Sequence, residues 1–269
     1  MNDRDKVVVI TGAGGGLGSA MAKRFAEAGA SLALLDIRLE AAQAVARELE
    51  PLCRQALALA CDVTDPEQCR QAIEAALQHF GRIDVLINNA GITHRSAFGE
   101  TEVHVFRKVM DVNFFGALYC TRFALRALHE SRGQIIVISS VAGFAPLYGR
   151  SGYAASKHAL HGLFDSLRTE LRGSGVHVML VCPGFTDTGI EHRALDADGS
   201  ITRHPRSTTG RVARPDEVAE AVFHAARRRK RLVVLSRVGK LSYWITRFWP
   251  LLYDRLMTRQ LRQELQRDS

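Results

Sequence analysis

The chain has 269 residues, 46% of them hydrophobic and 24% charged, enough to bury a sizeable core with the composition of an ordinary globular protein. The formal net charge is +8, but it is unevenly placed: residues 227–269 hold twelve Lys/Arg against three Asp/Glu, so the rest of the chain is close to neutral. That asymmetry excludes a uniformly basic polyelectrolyte and suggests an anionic partner for the tail, either nucleic acid or a membrane surface. RRRKR at 227–231 fits a nucleic-acid patch, but it also closes a helix, where basic groups favour the C-terminal dipole, so an anionic surface is expected and no nucleic acid.

The five cysteines, at 53, 61, 69, 120 and 182, form no C-x-x-C pair and read as reduced, apolar fillers of a cytoplasmic protein. MNDRDKVVVI lacks the apolar core and cleavage site of a signal peptide, and no apolar run reaches the length of a membrane span.

In chain order, short β-branched runs alternate with helical patterns. Strands are predicted at Lys6–Ile10, Ser31–Leu35, Ala56–Cys61, Ile83–Ile87, Gln134–Ser139, Val176–Val181 and Leu232–Leu235. Helices include Leu17–Ala28, Pro66–Phe80 and Ala154–Arg172. The strands are nearly continuous in apolar residues, as in strands covered on both faces. The alternation predicts an α/β fold, a single-domain, doubly wound parallel sheet of about seven strands, over residues 1–236. A basic, aromatic helical extension follows over 237–269. The polar run 186–212 is too long for an ordinary connection and is expected to be a substrate loop.

The first strand runs into TGAGGGLG. Gly12, Gly14, Gly15, Gly16 and Gly18, with Leu17, allow a tight turn and a close approach by a ligand, and the helix that follows offers its amides to a pyrophosphate. Asp36 ends the second strand, eighteen residues after Gly18. A carboxylate there accepts hydrogen bonds from an adenosine ribose and repels a 2′-phosphate, which favours NAD over NADP. Arg38 keeps NADP open, because a guanidinium could hold that phosphate.

ISSVAGFAPLYGRSGYAASKHAL carries the chemistry. Tyr153 and Lys157 lie four apart, on one helix face. A phenol titrates near pH 10, and an ammonium roughly 4 Å away would supply about 4 kcal/mol, enough to bring it towards neutrality. Ser140 stands thirteen residues before Tyr153, at a strand end where such sheets bind ligands. Asn88-Asn89-Ala90-Gly91 ends the fourth strand at the same edge, and Asn113 lies in the next helix. His158, His161 and His177 lack a carboxylate or cysteine at ligand spacing, so no metal is expected.

TGAGGGLG, Asp36, Asp62-Val63, NNAG, Asn113, Ser140, YAASK and Pro183-Gly184, in this order and spacing, resemble the short-chain dehydrogenase/reductase family. The resemblance implies Tyr153 as the acid/base. Lys157 would lower its pKa and bind the nicotinamide ribose. Ser140 would polarise the carbonyl, and Asn113 would support a proton-relaying water. Asp62 and Val63 would contact the adenine, with Asn89, Ala90 and Gly91 on the adenosine side. Thr188, after Pro183, Gly184 and Thr186, would hold the carboxamide.

The chain departs from soluble relatives after the last strand, where RRRKRLVVLS leads into YWITRFWPLLY rather than into a tetramer-building terminus. It is more like members acting on lipophilic alcohols such as steroids, retinoids and long-chain alcohols. That implies an NAD(H)-dependent oxidoreductase, a dimer rather than a tetramer, and peripheral membrane contact through the tail. An NADPH-dependent carbonyl reductase and a non-catalytic nucleotide-sensing module are the alternatives. In the tail, Leu241, Trp244, Ile245, Phe248, Leu252 and Leu256 recur at helical spacing, with Arg247, Arg255, Arg259 and Arg262 mostly off the stripe and Pro250 as a break. That stripe suits an interfacial helix, a dimer contact or a lid.

Overall fold

A computed structural model of the chain describes residues 5–202 and 210–265. Seven parallel strands form one sheet in the order β3-β2-β1-β4-β5-β6-β7. They are β1 (Val7–Thr11), β2 (Ser31–Asp36), β3 (Ala56–Ala60), β4 (Val85–Asn88), β5 (Gln134–Ile138), β6 (His177–Cys182) and β7 (Leu232–Val234). The long helices that cover it are α1 (Gly16–Ala26), α2 (Leu39–Leu49), α3 (Pro66–Phe80), α4 (Val103–Met110), α5 (Gly116–Ser131), α6 (Ser151–Glu170) and α7 (Pro215–Arg227). The tail forms α8 (Arg237–Phe248) and α9 (Pro250–Leu265).

Period-two alternation explains the two-sided core. Val8 and Ile10 of β1 pack against Met21 and Phe25 of α1 and Phe223 of α7. Val9 between them points the other way, into Ile73 of α3, Leu128 of α5 and Phe164 of α6. The central strands are therefore apolar on both faces. Helix ends follow local chemistry. Asp65 caps α3 by accepting from the Glu67 and Gln68 amides, Pro66 opens it, and Gly81 closes it at φ +76°.

Several boundaries move from their predicted places. The fourth strand starts at Val85 rather than Ile83, and the fifth stops at Ile138, leaving Ser140 to cap a 3₁₀ turn over Val141–Gly143. Helix α6 begins at Ser151, three residues before the predicted Ala154. Pro250 does break the tail, because its ring cannot continue α8 and opens α9 instead. Residues 203–209 of the predicted 186–212 loop lie outside the described residues, as do residues 266–269 and the side chain of Arg262.

The strand order reverses between β1 and β4. At that switch point the loops leave the sheet in opposite directions and open a crevice at the carboxyl ends.

Candidate active site

The glycine loop is clamped from β4. Thr11 Oγ1 accepts from the amides of Asn89 and Ala90, each at 3.0 Å, and the Asn89 side-chain amide donates to the carbonyls of Thr11 and Gly12. This brings the backbones so close that a Cβ at Gly12, whose φ is +63°, would lie 2.9 Å from Ala90 Cα. A Cβ at Gly18 would overlap the Gly12 carbonyl, so α1 can begin this close to the strand only with glycine there. Gly15 precedes α1 without a side-chain cap, which leaves the helix N-terminus open to an anion.

Asp36 is 7% exposed and held at two points. One carboxylate oxygen accepts from the Gly14 amide at 2.9 Å and the other from the Arg38 amide at 3.0 Å. Each oxygen retains a lone pair for a ligand hydroxyl. Asp62 is fixed by the amide and hydroxyl of Thr64, and Val63 beside it is buried.

Across the crevice, Tyr153 and Lys157 project from the first two turns of α6. The Lys157 ammonium lies 5.7 Å from the Tyr153 ring centre and donates to the Ile138 carbonyl at 2.9 Å. Burial lowers its pKa to about 8. Ser140 Oγ accepts from the Ala142 amide at 3.2 Å, leaving its own proton to donate.

Asn113 sits in a π-turn, Asp111–Phe115, where the Gly116 amide reaches back to the Asp111 carbonyl. Such a turn re-aims side chains at functional sites. The Asn113 amide takes both backbone groups of Ile92, accepting at 2.8 Å and donating at 2.9 Å, and also donates to Ser156 Oγ. It therefore ties the NNAG segment to α6, a role that a plain helix would not give it. Asn113 Oδ1 and Lys157 Nζ both flank Gly91, at 3.2 and 3.6 Å from where a Cβ would stand.

A cavity of about 1080 Å³ joins these parts. That exceeds the roughly 300–1,000 Å³ of a single-ligand pocket and leaves room for a dinucleotide beside a second molecule. Gly12, Gly15, Gly16, Leu17, Gly18 and Asp36 line one end. Asp62, Val63, Asn89, Ala90 and Gly91 follow, then Ser140, Tyr153 and Lys157, with Pro183, Gly184, Thr186 and Thr188 opposite. Of the candidate residues, Gly14 and Asn113 do not line it; they brace it from behind. Thr188 covers Gly16, where a Cβ would stand 3.0 Å from the Thr188 carbonyl oxygen, and Thr186 pairs with Ala213.

Several further wall residues carry no signal in the sequence: Ala145, Pro146 and Leu147 before α6, and Tyr253 and Met257 from α9. Among the described residues no cluster of three His/Cys/Asp/Glu could hold a metal ion.

A family model described as short chain dehydrogenase matches residues 6–198. The chain belongs to that family. It is thus an oxidoreductase acting on CH–OH groups, built on a nucleotide-binding Rossmann sheet. A dehydrogenase/reductase SDR family member 7B from Rattus norvegicus is 37% identical over 97% of this chain and 83% of its own length. An 11-beta-hydroxysteroid dehydrogenase A from Sesamum indicum is 35% identical over 91% of this chain and 72% of its own. Among solved structures, a short chain dehydrogenase/reductase from Burkholderia phymatum in complex with NAD superposes with a TM-score of 0.83. It is 26% identical and the match covers 94% of this chain and 96% of that one.

Proposed function

We propose that this short-chain dehydrogenase is an NAD(H)-dependent enzyme that interconverts a lipophilic alcohol with its ketone or aldehyde, with Tyr153 as acid/base. The observation that carries the reading is the single cavity in which the glycine loop, the Ser140–Tyr153–Lys157 group and an apolar wall meet.

The residues fit a dinucleotide. Glycines whose Cβ would collide with backbone make the cradle for a pyrophosphate, and the α1 amides face it. Asp36 would take the adenosine ribose, with Asp62, Val63, Asn89, Ala90 and Gly91 around the adenine side. Lys157 would take the nicotinamide ribose, and Pro183, Gly184, Thr186 and Thr188 the nicotinamide. The bound dinucleotide supplies the hydride acceptor in oxidation and the donor in reduction.

Ser140 donates to the substrate oxygen. Tyr153 removes the hydroxyl proton in oxidation and returns one in reduction. Lys157 favours the phenolate through its charge. Asn113 holds the segments bearing Gly91 and Tyr153 in register.

Asp36 sets cofactor choice. Asp36→Ala should raise the Kd for NADH by about 10- to 150-fold, as for loss of a charged hydrogen bond worth about 1.5–3 kcal/mol, and should narrow any preference for NAD over NADP. Fluorescence titration measures the first and kcat/KM with each cofactor the second. A wild-type preference for NADP would instead assign the exposed Arg38 to a 2′-phosphate.

The tail supports a lipophilic substrate. Tyr253 and Met257 face the cavity, while Leu241, Trp244, Phe248, Trp249, Leu251 and Leu252 are exposed on the outside. Trp244 stacks on Phe248 at 5.9 Å. The residues of the predicted stripe therefore do not line the cavity; Leu241, Trp244, Phe248, Leu252 and Leu256 form an exposed apolar surface, and the cavity wall comes from Tyr253 and Met257 outside that stripe. Arg237, Lys240, Arg247, Arg255 and Arg259 stand exposed around it. No helix among the described residues is long and apolar enough to cross a membrane. An anionic lipid surface matches greasy centre and cationic rim together, at about 1 kcal/mol per basic residue near it.

The protein should sediment with phosphatidylserine vesicles at low salt. Trp244→Glu with Phe248→Glu should remove it from the pellet and leave NADH binding unchanged. Absence from the pellet at low salt, with a dimer in sedimentation velocity, would assign the face to a second copy.

The reaction itself is tested by NADH formation from hydroxysteroids, retinol and long-chain alcohols, with ethanol as the polar control. Activity on ethanol alone would remove the lipophilic assignment. Tight NADH binding without turnover of any alcohol would favour the nucleotide-sensing module.

A further inference from the structure

His94 is fully buried beside the active site, and the dinucleotide and substrate roles proposed above do not use it. Its surroundings fix its chemistry. The Thr101 hydroxyl donates to the Ala97 carbonyl at 2.7 Å, so it must accept at the 2.7 Å contact with Ser96 Oγ. Ser96 therefore spends its proton on Thr101 and accepts at the 3.2 Å contact with His94 Nδ1. His94 carries its proton on Nδ1, and Nε2 is left as an acceptor. Nε2 receives the Gly152 amide at 2.9 Å.

That amide belongs to the first turn of α6, one residue before Tyr153. The residue at the N-cap position, Arg150, makes no side-chain cap. A helix whose first amides lack a local acceptor is normally capped by Ser, Thr, Asp or Asn just upstream. Here the acceptor comes from 58 residues away in sequence. Gly152 is what lets the ring in, because a Cβ there would stand 3.0 Å from Nε2 and 2.7 Å from Phe106 Cδ1.

His94 is held from the other side as well. Thr93 and Arg95 flank it and pair with Leu195 of the 186–212 loop, at 2.9 and 2.8 Å. Burial, reinforced by the charge of Arg150, lowers its pKa to about 4, so the ring is a neutral acceptor across the working range.

We propose that His94 is a positioning residue for the reaction: as a long-range N-cap it fixes the first turn of α6, and through it the placement of Tyr153 against Lys157. The inference rests on the reading of Tyr153 as acid/base. His94 touches neither substrate nor cofactor in this scheme and acts only through the helix.

The test compares His94→Gln, whose amide oxygen reaches the place of Nε2, with His94→Asn, which keeps a polar group opposite Ser96 but falls short of Gly152. Tyr153 ionisation is read at 295 nm as the difference between each protein and its Tyr153→Phe counterpart. His94→Asn should raise the Tyr153 pKa by about one unit, a tenfold loss of phenolate at fixed pH. His94→Gln should titrate like the wild type, and both should bind NADH as the wild type does.

A folded His94→Asn protein with an unshifted Tyr153 would overturn the proposal, as would an equal shift in both variants. If His94→Asn does not fold, His94→Gln alone decides: a wild-type titration supports capping and a shifted one refutes it. The titration needs no substrate. Failure to turn over any alcohol would therefore undo the proposed activity without touching the capping, and an unmoved titration in an active enzyme would do the reverse.

Discussion

Tyr153→Phe is expected to lower kcat for alcohol oxidation by about 10²–10⁴-fold, the span that a positioned acid/base contributes, while the Kd for NADH stays within about twofold. The substitution removes one oxygen and keeps the ring. The ring packs among Val105, Val109, Leu195 and Ile92, so the fold around it should persist. What is lost is the group that takes the hydroxyl proton as the hydride leaves. Ser140 cannot replace it, because an unassisted hydroxyl is too weak a base near neutral pH. Stopped-flow NADH formation and fluorescence titration together separate a lost proton acceptor from a lost binding site. Turnover within a few-fold of wild type would remove Tyr153 from the chemistry.

Lys157→Met should be nearly as severe, for a different reason. The ammonium, 5.7 Å from the phenol ring centre, contributes on the order of 3 kcal/mol to the phenolate at an effective dielectric near 20. That corresponds to about two pKa units. Methionine keeps the length of the stem in its buried channel and removes only the charge and the hydrogen bond to Ile138. Oxidation near neutral pH should fall about a hundredfold from the charge alone. The Kd for NADH should rise as well, since the same ammonium is the proposed partner of the nicotinamide ribose. Tyr153→Phe leaves that affinity untouched, so the two variants are told apart by binding as well as by rate.

The parts of the site that could be read from the sequence are those set by the backbone or by short spacing. TGAGGGLG announces itself because Gly12 and Gly18 stand where a Cβ would strike backbone. Tyr153 and Lys157 are one helical turn apart, so their adjacency needs no tertiary knowledge. The sheet was legible because its strands are buried on both faces, which leaves continuous apolar runs.

The rest depends on distant partners. An asparagine inside a helix can kink it, but the π-turn over Asp111–Phe115 accompanies bonds from Asn113 to Ile92 and Ser156, partners 21 and 43 residues away. The first turn of α6 finds its side-chain acceptor in His94, whose nitrogen meets the Gly152 amide only in the folded chain. The tail stripe was visible as a period, but periodicity cannot say what covers a face. Leu241, Trp244 and Phe248 remain exposed, while Tyr253 and Met257 turn inwards to the cavity.

The pH profile of kcat/KM for NAD-linked oxidation tests the Tyr153–Lys157 pair most directly. The base works as phenolate, so the rate should rise with pH and level off above the apparent pKa of the coupled pair. The midpoint is expected well below the ~10 of a free phenol, moving up by about two units in Lys157→Met. A wild-type midpoint near that of a free phenol, or one that Lys157→Met leaves in place, would contradict the pairing.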